Sequence, residues 1–137
     1  MSLTFNGTNI TAINYNGTAL TKVIFNGTTV WESTSWHTQW TGSKASGTAI
    51  GSTLVNADVT GLSNLRTSGR ARITGNITFT SSIKETLSAI ETKSGSTAQV
   101  TAVSVTSTTT IRVVCKRVTT RTTASGVLTL TKVEQYY

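Results

Sequence analysis

Apolar and polar residues alternate in steps of two along much of this chain, as they do in β-strands that are buried on one side. The alternation is clearest over residues 70–80. The odd-numbered positions include the apolar residues Ala71, Ile73, Ile77 and Phe79, which would share one face of a strand. The even-numbered positions hold Arg70, Arg72, Thr74, Asn76, Thr78 and Thr80, which would share the other face. Residues 99–105, 111–118 and 127–133 show similar patterns that are rich in β-branched side chains. The pattern predicts an all-β fold, an antiparallel β-sandwich or jelly roll.

One segment carries two conflicting signals. Residues 82–85, Ser-Ile-Lys-Glu, match a helix capping box, and Leu87 and Ile90 follow at helical spacing before Gly95. The threonine and serine residues between them are mediocre helix formers, and the surrounding sequence favours strands. Two alternatives therefore stay open for this segment, one short helix near 82–93 or a strand.

A ten-residue repeat opens the chain and centres on three Asn-Gly pairs. These pairs are Asn6-Gly7, Asn16-Gly17 and Asn26-Gly27. Asn-Gly between β-branched and aromatic residues favours a type I′ turn, because both central residues of that turn need positive φ. We predict three β-hairpins whose turns serve assembly. Their register would place Leu3 opposite Ile10, Ile13 opposite Leu20, and Val23 opposite Val30.

The spacing of apolar residues changes from even to odd between successive hairpins. Ile10 and Ile13 are an odd number of residues apart, as are Leu20 and Val23, so a continuous strand would place them on opposite faces. We expect a bulge or corner at residues 11–12 and again at 21–22. Because such short hairpins bury little area, residues 1–33 are predicted to be a docking and assembly segment, and residues 34–137 the β-sandwich body. The alternative is that the repeat forms the first sheet of a single sandwich.

Two tryptophans begin the predicted body. In Trp36-His37-Thr38-Gln39-Trp40, simple alternation places both tryptophans on one face and His37 with Gln39 on the other. Paired aromatic residues of this kind either anchor a core or form an exposed platform that stacks on sugar rings. The second alternative makes Trp36, His37 and Trp40 candidates for contact with a ligand or partner.

Titratable side chains are scarce. Charged residues supply 12% of the chain, with five acidic residues and one histidine. Acid–base catalysis and metal binding both require several such groups in one place, and no glycine motif for phosphate or dinucleotide binding occurs. The sequence therefore predicts a protein that is not an enzyme, without catalytic residues, cofactor or metal ion. The single cysteine, Cys115, shares the parity of Ile111 and Val113 and is expected in the core.

The chain is basic, with twelve Lys and Arg against five acidic residues and a formal charge of +7. The cations on predicted strands are Arg70 and Arg72 on one strand, and Arg112, Lys116 and Arg117 on a second, with Arg121 beyond it. If the two strands adjoin, these residues form a basic stripe for an acidic glycan, a phosphate or an acidic protein surface. No aromatic residues interleave with these cations, which disfavours nucleic acid as a partner.

The opening residues contain no basic segment followed by an apolar one, and no stretch is apolar enough to span a bilayer. We expect a protein made in a cytoplasm, without a signal peptide or membrane insertion. Proline is absent, so sheet edges need protection by charge, bulges or another chain. This feature favours a homo-oligomer.

The three Asn-Gly-Thr units, which end in Val-Ile-Phe-Asn-Gly-Thr-Thr-Val-Trp-Glu at residues 23–32, resemble the short repeats that open many small bacteriophage structural proteins. Those proteins belong especially to tails, baseplates and fibres. Residues 40–43 and 128–137 are similar in style to the bodies of such proteins. The resemblance implies a multicopy, non-enzymatic β protein that contacts other virion proteins and is located in the virion.

Two alternative functions accompany this hypothesis. In the first alternative, the chain is a capsid decoration or head fibre protein. In the second, it is a carbohydrate-binding module that recognises a host-surface glycan through Trp36 and Trp40. The sequence does not separate these alternatives.

Overall fold

The structure, a computed structural model, describes residues 4–118 and 124–137. The chain divides into two compact units. The first, here called the hairpin unit, reaches Ser35 and includes Tyr137, and the second, here called the body, runs Trp36–Tyr136. All regular secondary structure in the described residues is β-strand, which confirms the predicted all-β class.

The hairpin unit contains three two-stranded antiparallel hairpins. Their strands are β1 (Thr4–Phe5) with β2 (Thr8–Asn9), β3 (Ile13–Tyr15) with β4 (Thr18–Leu20), and β5 (Lys22–Phe25) with β6 (Thr28–Glu32). The three turn asparagines have φ between 48° and 50°, and the three glycines that follow have φ of 77° or 78°. Positive φ at both central positions confirms the predicted type I′ turns.

Pairing within the hairpins follows the predicted register in part. Ile13 pairs with Leu20 as expected. The expected pairing of Val23 with Val30 is wrong, because Val23 pairs with Trp31 and Val30 is the extra residue of a bulge. The predicted partner of Ile10, Leu3, lies outside the described residues.

Corners separate the hairpins where the parity breaks. Residues 10–12 and residue 21 lie outside the strands, which confirms the two predicted interruptions. Within this unit the indole Nε1 of Trp31 donates a hydrogen bond to the carbonyl oxygen of Ile10 at 3.0 Å, and Trp31 is only 2% exposed. A single large side chain thus ties the third hairpin to the corner that follows the first.

The body is a sandwich of two four-stranded antiparallel sheets, as predicted. The first sheet has the order β10 (Lys84–Ile90), β9 (Arg70–Phe79), β14 (Gly126–Tyr136) and β7 (Trp36–Ala45). The second has the order β11 (Lys93–Ser94), β12 (Ala98–Ser107), β13 (Thr110–Arg117) and β8 (Val55–Val59). Buried apolar residues from both sheets form one core.

The segment with conflicting signals is a strand, so the helical alternative near 82–93 is wrong. Leu87 is 1% exposed and pairs with Gly75 of β9. Burial of Leu87 together with backbone pairing to β9 outweighs the local capping signal, which is worth about 1 kcal/mol. A bulge after Leu87, where Ala89 has φ of 49°, interrupts the pairing with β9, which resumes at Ile90.

Strand alternation decides what enters the core. In β9 every second side chain from Ala71 to Phe79 is buried, as the sequence predicts. Cys115 is fully buried, which confirms its predicted place, and desolvation raises the pKa of its thiol to about 11. The thiol is therefore protonated and poorly reactive near neutral pH.

A buried glutamine fixes the connection between β8 and β9. Gln135 is fully buried on the inner side of β14. Its Oε1 accepts a hydrogen bond from the Arg66 backbone N–H at 2.7 Å, and its Nε2 donates to the Arg66 carbonyl oxygen at 2.7 Å. The side-chain amide thus pairs with a backbone group as another strand would, and both of its polar atoms are satisfied.

A charged clip joins the two sheets at one edge. Glu85 of β10 accepts hydrogen bonds from the backbone N–H groups of Thr97 and Ala98, and its Oε1 lies 2.8 Å from Nζ of Lys93 on β11. The Glu85 side chain is 11% exposed. Gly95 leaves room for this carboxylate, since a Cβ there would lie 2.7 Å from its carboxyl carbon.

The environment of Glu85 predicts an acid-sensitive contribution to stability. Burial raises the pKa of Glu85, but hydrogen bonds from Lys93, Thr97 and Ala98 and the charge of Lys93 together bring it below the ordinary 4.5. A carboxyl group with a lowered folded-state pKa stabilises the protein above its unfolded pKa, and this contribution is lost as the pH falls through the folded-state value.

We therefore expect Glu85→Gln to lower the free energy of unfolding at pH 7 by about 1–3 kcal/mol. The loss should shrink on acidification, because protonated glutamic acid resembles glutamine. Urea unfolding at pH 7 and pH 3 measures both effects. Glu91→Gln is the control, since the Arg70–Glu91 pair is 61% and 36% exposed and should contribute little to stability. Equal losses of unfolding free energy for the two variants at pH 7 would contradict a stabilising role for the Glu85 contacts.

Candidate functional site

Each hairpin presents an exposed aromatic side chain beside its turn. Phe5, Tyr15 and Phe25 directly precede the turn asparagines and are 71%, 69% and 68% exposed. All three occupy the last strand position before the turn, where they pair with Thr8, Thr18 and Thr28. The repeat thus displays the same chemical group three times, and we call these three residues the hairpin tips.

The hairpin tips lie in an electrically neutral unit. Its charged side chains in the described residues are Lys22 and Glu32, which are direct partners across β5 and β6. The tips are apolar surface without a charge of their own, which suits contact with a protein surface. The Asn-Gly motif points to the turn residues and not to the tips, although the recurrence of the tips at ten-residue spacing is visible in the sequence.

A second cluster lies on the outer face of the first sheet. Trp36 and Tyr136 are paired across β7 and β14, with ring centroids 5.4 Å apart at an interplanar angle of 64°. The guanidinium carbon of Arg72 lies 4.3 Å from the Trp36 ring centroid, and that of Arg70 lies 5.3 Å from it. Both distances are within the range of cation–π attraction.

Carboxylates hold the same two arginines. Arg72 donates two hydrogen bonds to Glu134, at 3.0 and 3.2 Å, and Arg70 makes a two-point contact with Glu91. The hydrogen bond from Arg72 lowers the pKa of Glu134, and that from Arg70 lowers the pKa of Glu91. Both carboxyl groups are therefore ionised near neutral pH, so neither serves as a general acid there.

The two tryptophans lie on opposite faces of the first sheet, so the expectation that they share a face is wrong. Trp36 pairs with Tyr136 on the outer face, whereas Trp40 pairs with Val133 and packs against the core. The register shifts between these pairs because Gln39 is an extra residue on β7. One bulge residue reverses the parity of every side chain beyond it.

His37 lies on the face opposite Trp36, as predicted. It pairs with the buried Gln135, on the inner side of the sheet, and Gln39 occupies the bulge instead of sharing its face. The proposed constellation of Trp36, His37 and Trp40 is therefore divided between the two sides of β7. A sugar platform built from both tryptophans is not formed.

The candidate cations of the second predicted strand belong to the other sheet. Arg112, Lys116 and Arg117 lie on β13, while Arg70 and Arg72 lie on β9, and the two strands do not pair. The basic stripe, which was predicted on the condition that these two strands adjoin, is therefore not formed by them. Arg121, which the sequence placed beyond the second strand, lies outside the described residues.

Ion pairs further reduce the basic character of the body. Arg112 makes two hydrogen bonds of 2.8 Å to Asp58 on β8, and these lower the pKa of Asp58. Each of the four acidic residues in the described part of the body makes a salt bridge. Arg117 donates to the Ala124 carbonyl oxygen at 3.2 Å. The arginine side chains named here are thus held in place by acceptors of the same chain.

Residues 4–118 and 124–137 contain no group of three His, Cys, Asp or Glu side chains placed to hold a metal ion. Over the same residues, no helix has the length and apolar character needed to cross a bilayer. Comparison of the chain with protein-family models, curated proteins and solved structures finds no match.

The opposite placement of the tryptophans leads to a stability prediction. Trp40→Ala should lower the free energy of unfolding by about 2–4 kcal/mol, because the indole packs on the core. Trp36→Ala should cost about 1 kcal/mol, because it removes mainly the contacts with Tyr136 and two arginines. Urea unfolding followed by circular dichroism measures both variants. Small and equal losses would contradict this placement and would instead support an exposed pair.

Proposed function

We propose that this chain is a multicopy structural component of a bacteriophage virion, in the tail, baseplate or fibre. The observation that carries the proposal is the threefold display of an exposed aromatic side chain beside an Asn-Gly turn. The resemblance of the repeat to those of phage structural proteins points in the same direction. Three repeated apolar side chains suit assembly, because they offer several equivalent contacts to one partner.

The hairpin tips supply enough surface for docking. An aromatic side chain buries about 150–250 Å² when fully covered. At roughly 25 cal/mol per Å², covering the exposed part of three such residues contributes several kcal/mol before the cost of association. In this proposal another virion protein covers the tips.

The body then serves as the displayed part of the assembly. The outer face of its first sheet is polar, with half-buried threonine and asparagine side chains on β9 and the more exposed Arg70–Glu91 pair. The resemblance favours the tail side of the virion over a capsid decoration or head fibre protein. Both locations use the same docking principle.

Glycan recognition remains the alternative from another class. Trp36 alone lies on the outer face, and two guanidinium groups already lie within 6 Å of its ring. A sugar that stacked on Trp36 would compete with these arginines for the ring. The structure therefore offers the assembly proposal more support than the glycan alternative.

The assembly proposal is tested with the triple variant Phe5→Ser, Tyr15→Ser, Phe25→Ser. We expect its incorporation into phage particles to fall at least about tenfold, since the loss of three apolar contacts exceeds the 1.4 kcal/mol that corresponds to a tenfold change. Quantitative immunoblotting of purified particles, from cells in which the variant replaces the natural chain, measures the effect.

A matched control changes exposed apolar residues of the body. Leu54→Ser with Val127→Ser removes side chains that are 54% and 42% exposed, and it should leave incorporation unchanged. Circular dichroism confirms that both variants keep the strand content of the natural chain. Absence of the natural chain from purified particles, or full incorporation of the triple variant, would contradict the proposal.

A further inference from the structure

β12 is the longest strand of the second sheet, and most of one side of it is open. On one side β13 pairs along its length, whereas on the other β11 pairs only with Gln99 and Val100. Among the described residues no other strand pairs with residues 101–107 on the β11 side. Backbone N–H and C=O groups that point away from β13 are therefore available to another strand.

The chemistry of this edge differs from that of the other sheet edges. Residues 98–107 contain neither charge nor proline. The other long edges each carry charge, with Lys44 on β7, Asp58 on β8 and Lys84 on β10. Charged side chains on edge strands discourage pairing between molecules. The open part of β12 lacks this protection.

Two bulges bound a regular stretch within β12. Thr101 and Thr106 are the extra residues at register shifts against β13, and residues 102–105 between them pair without interruption. Within this stretch Val103 and Val105 are only partly buried, although they pack against the core. A strand added at this edge would satisfy backbone groups and cover the two valines together.

We propose that β12 pairs with β12 of a second copy of this chain, antiparallel about a two-fold axis that passes between the two copies of Ser104. Inner-face residues must pair with inner-face residues if both cores are to stay on one side of the joined sheet. Several registers meet this condition, and the one centred on Ser104 places Ser104 opposite Ser104 of the partner subunit. It places Val103 opposite Val105 of the partner subunit, so that the partly exposed valines cover each other.

The charge distribution permits a second copy at this edge, and the register in which Val103 and Val105 cover each other favours one. Copies of a chain with formal charge +7 repel one another and should meet where the surface is neutral. Arg112 is the residue beside Ser104 on β13, and its guanidinium is held by Asp58 on the far side of that strand. The edge is therefore both uncharged and flanked by a neutralised arginine.

This pairing does not rest on the virion assignment, and it uses a surface in the body instead of the hairpin tips. The joined sheet would contain eight strands, four from each copy. Its two-fold symmetry closes the contact, since each β12 edge is used once.

The pairing is tested by light scattering on the natural chain and on Ser104→Lys over a range of concentrations. The natural chain should form a dimer. Ser104→Lys places like charges directly opposite each other, so we expect its dimer dissociation constant to rise by roughly fivefold or more. Asn56→Lys is the matched control, because it adds the same charge to an exposed position on the β8 edge and should leave the dimer unchanged.

A second measurement keeps the test independent of any variant. In the natural chain, the amide resonances of residues 102–105 should shift with protein concentration. A natural chain that stays monomeric at about 1 mM, a dimer unaffected by Ser104→Lys, or shifts confined to the hairpin tips would each overturn the proposal. Failure of virion incorporation with an intact β12 dimer would overturn only the docking role of the hairpins.

Discussion

The alternation of side chains across a β-strand is the constraint on which the rest of this structure depends. In β9 it delivers a buried residue at every second position and leaves the arginines outside. Where one residue is inserted, the sides exchange, and Gln39 shows the consequence: Trp36 joins the outer arginine cluster while Trp40 packs on the core. The face that a functional candidate occupies is thus set by a single bulge a few residues away.

Features that local chemistry determines could be predicted from the sequence. The Asn-Gly turns follow from the tolerance of these residues for positive φ, and the strand pattern around Ile73 and Ile77 follows from burial of one face. Features that depend on a partner strand could not. The Val30 bulge and the strand conformation around Leu87 are decided by cross-strand packing, which the local signals of those segments do not contain.

The candidate surfaces divide in the same way. Titratable and aromatic residues could be selected from the sequence, but their grouping could not, because strand order assigns Arg72 and Arg112 to different sheets. The hairpin tips are the large apolar residues with the highest exposed fractions, and they recur every ten residues in the sequence. The Asn-Gly motif beside them points to the turns and not to these aromatic side chains. The open edge of β12 could not be predicted, because it depends on the lack of a neighbouring strand along residues 101–107 among the described residues. Together, the tips and this edge leave apolar side chains and backbone groups without a strand partner exposed to solvent in the described chain, and the proposal of assembly rests on them.

The central claim is that this chain associates through these two uncovered surfaces. Amide hydrogen exchange, measured on the free chain at low concentration and again on the assembled particle, tests it most directly. The account predicts that protection increases in the hairpins at residues 4–32 and along residues 101–107, while exchange along β7 and β8 stays unchanged. Unchanged exchange in the hairpins and in β12, with new protection on β7 or β8, would contradict it.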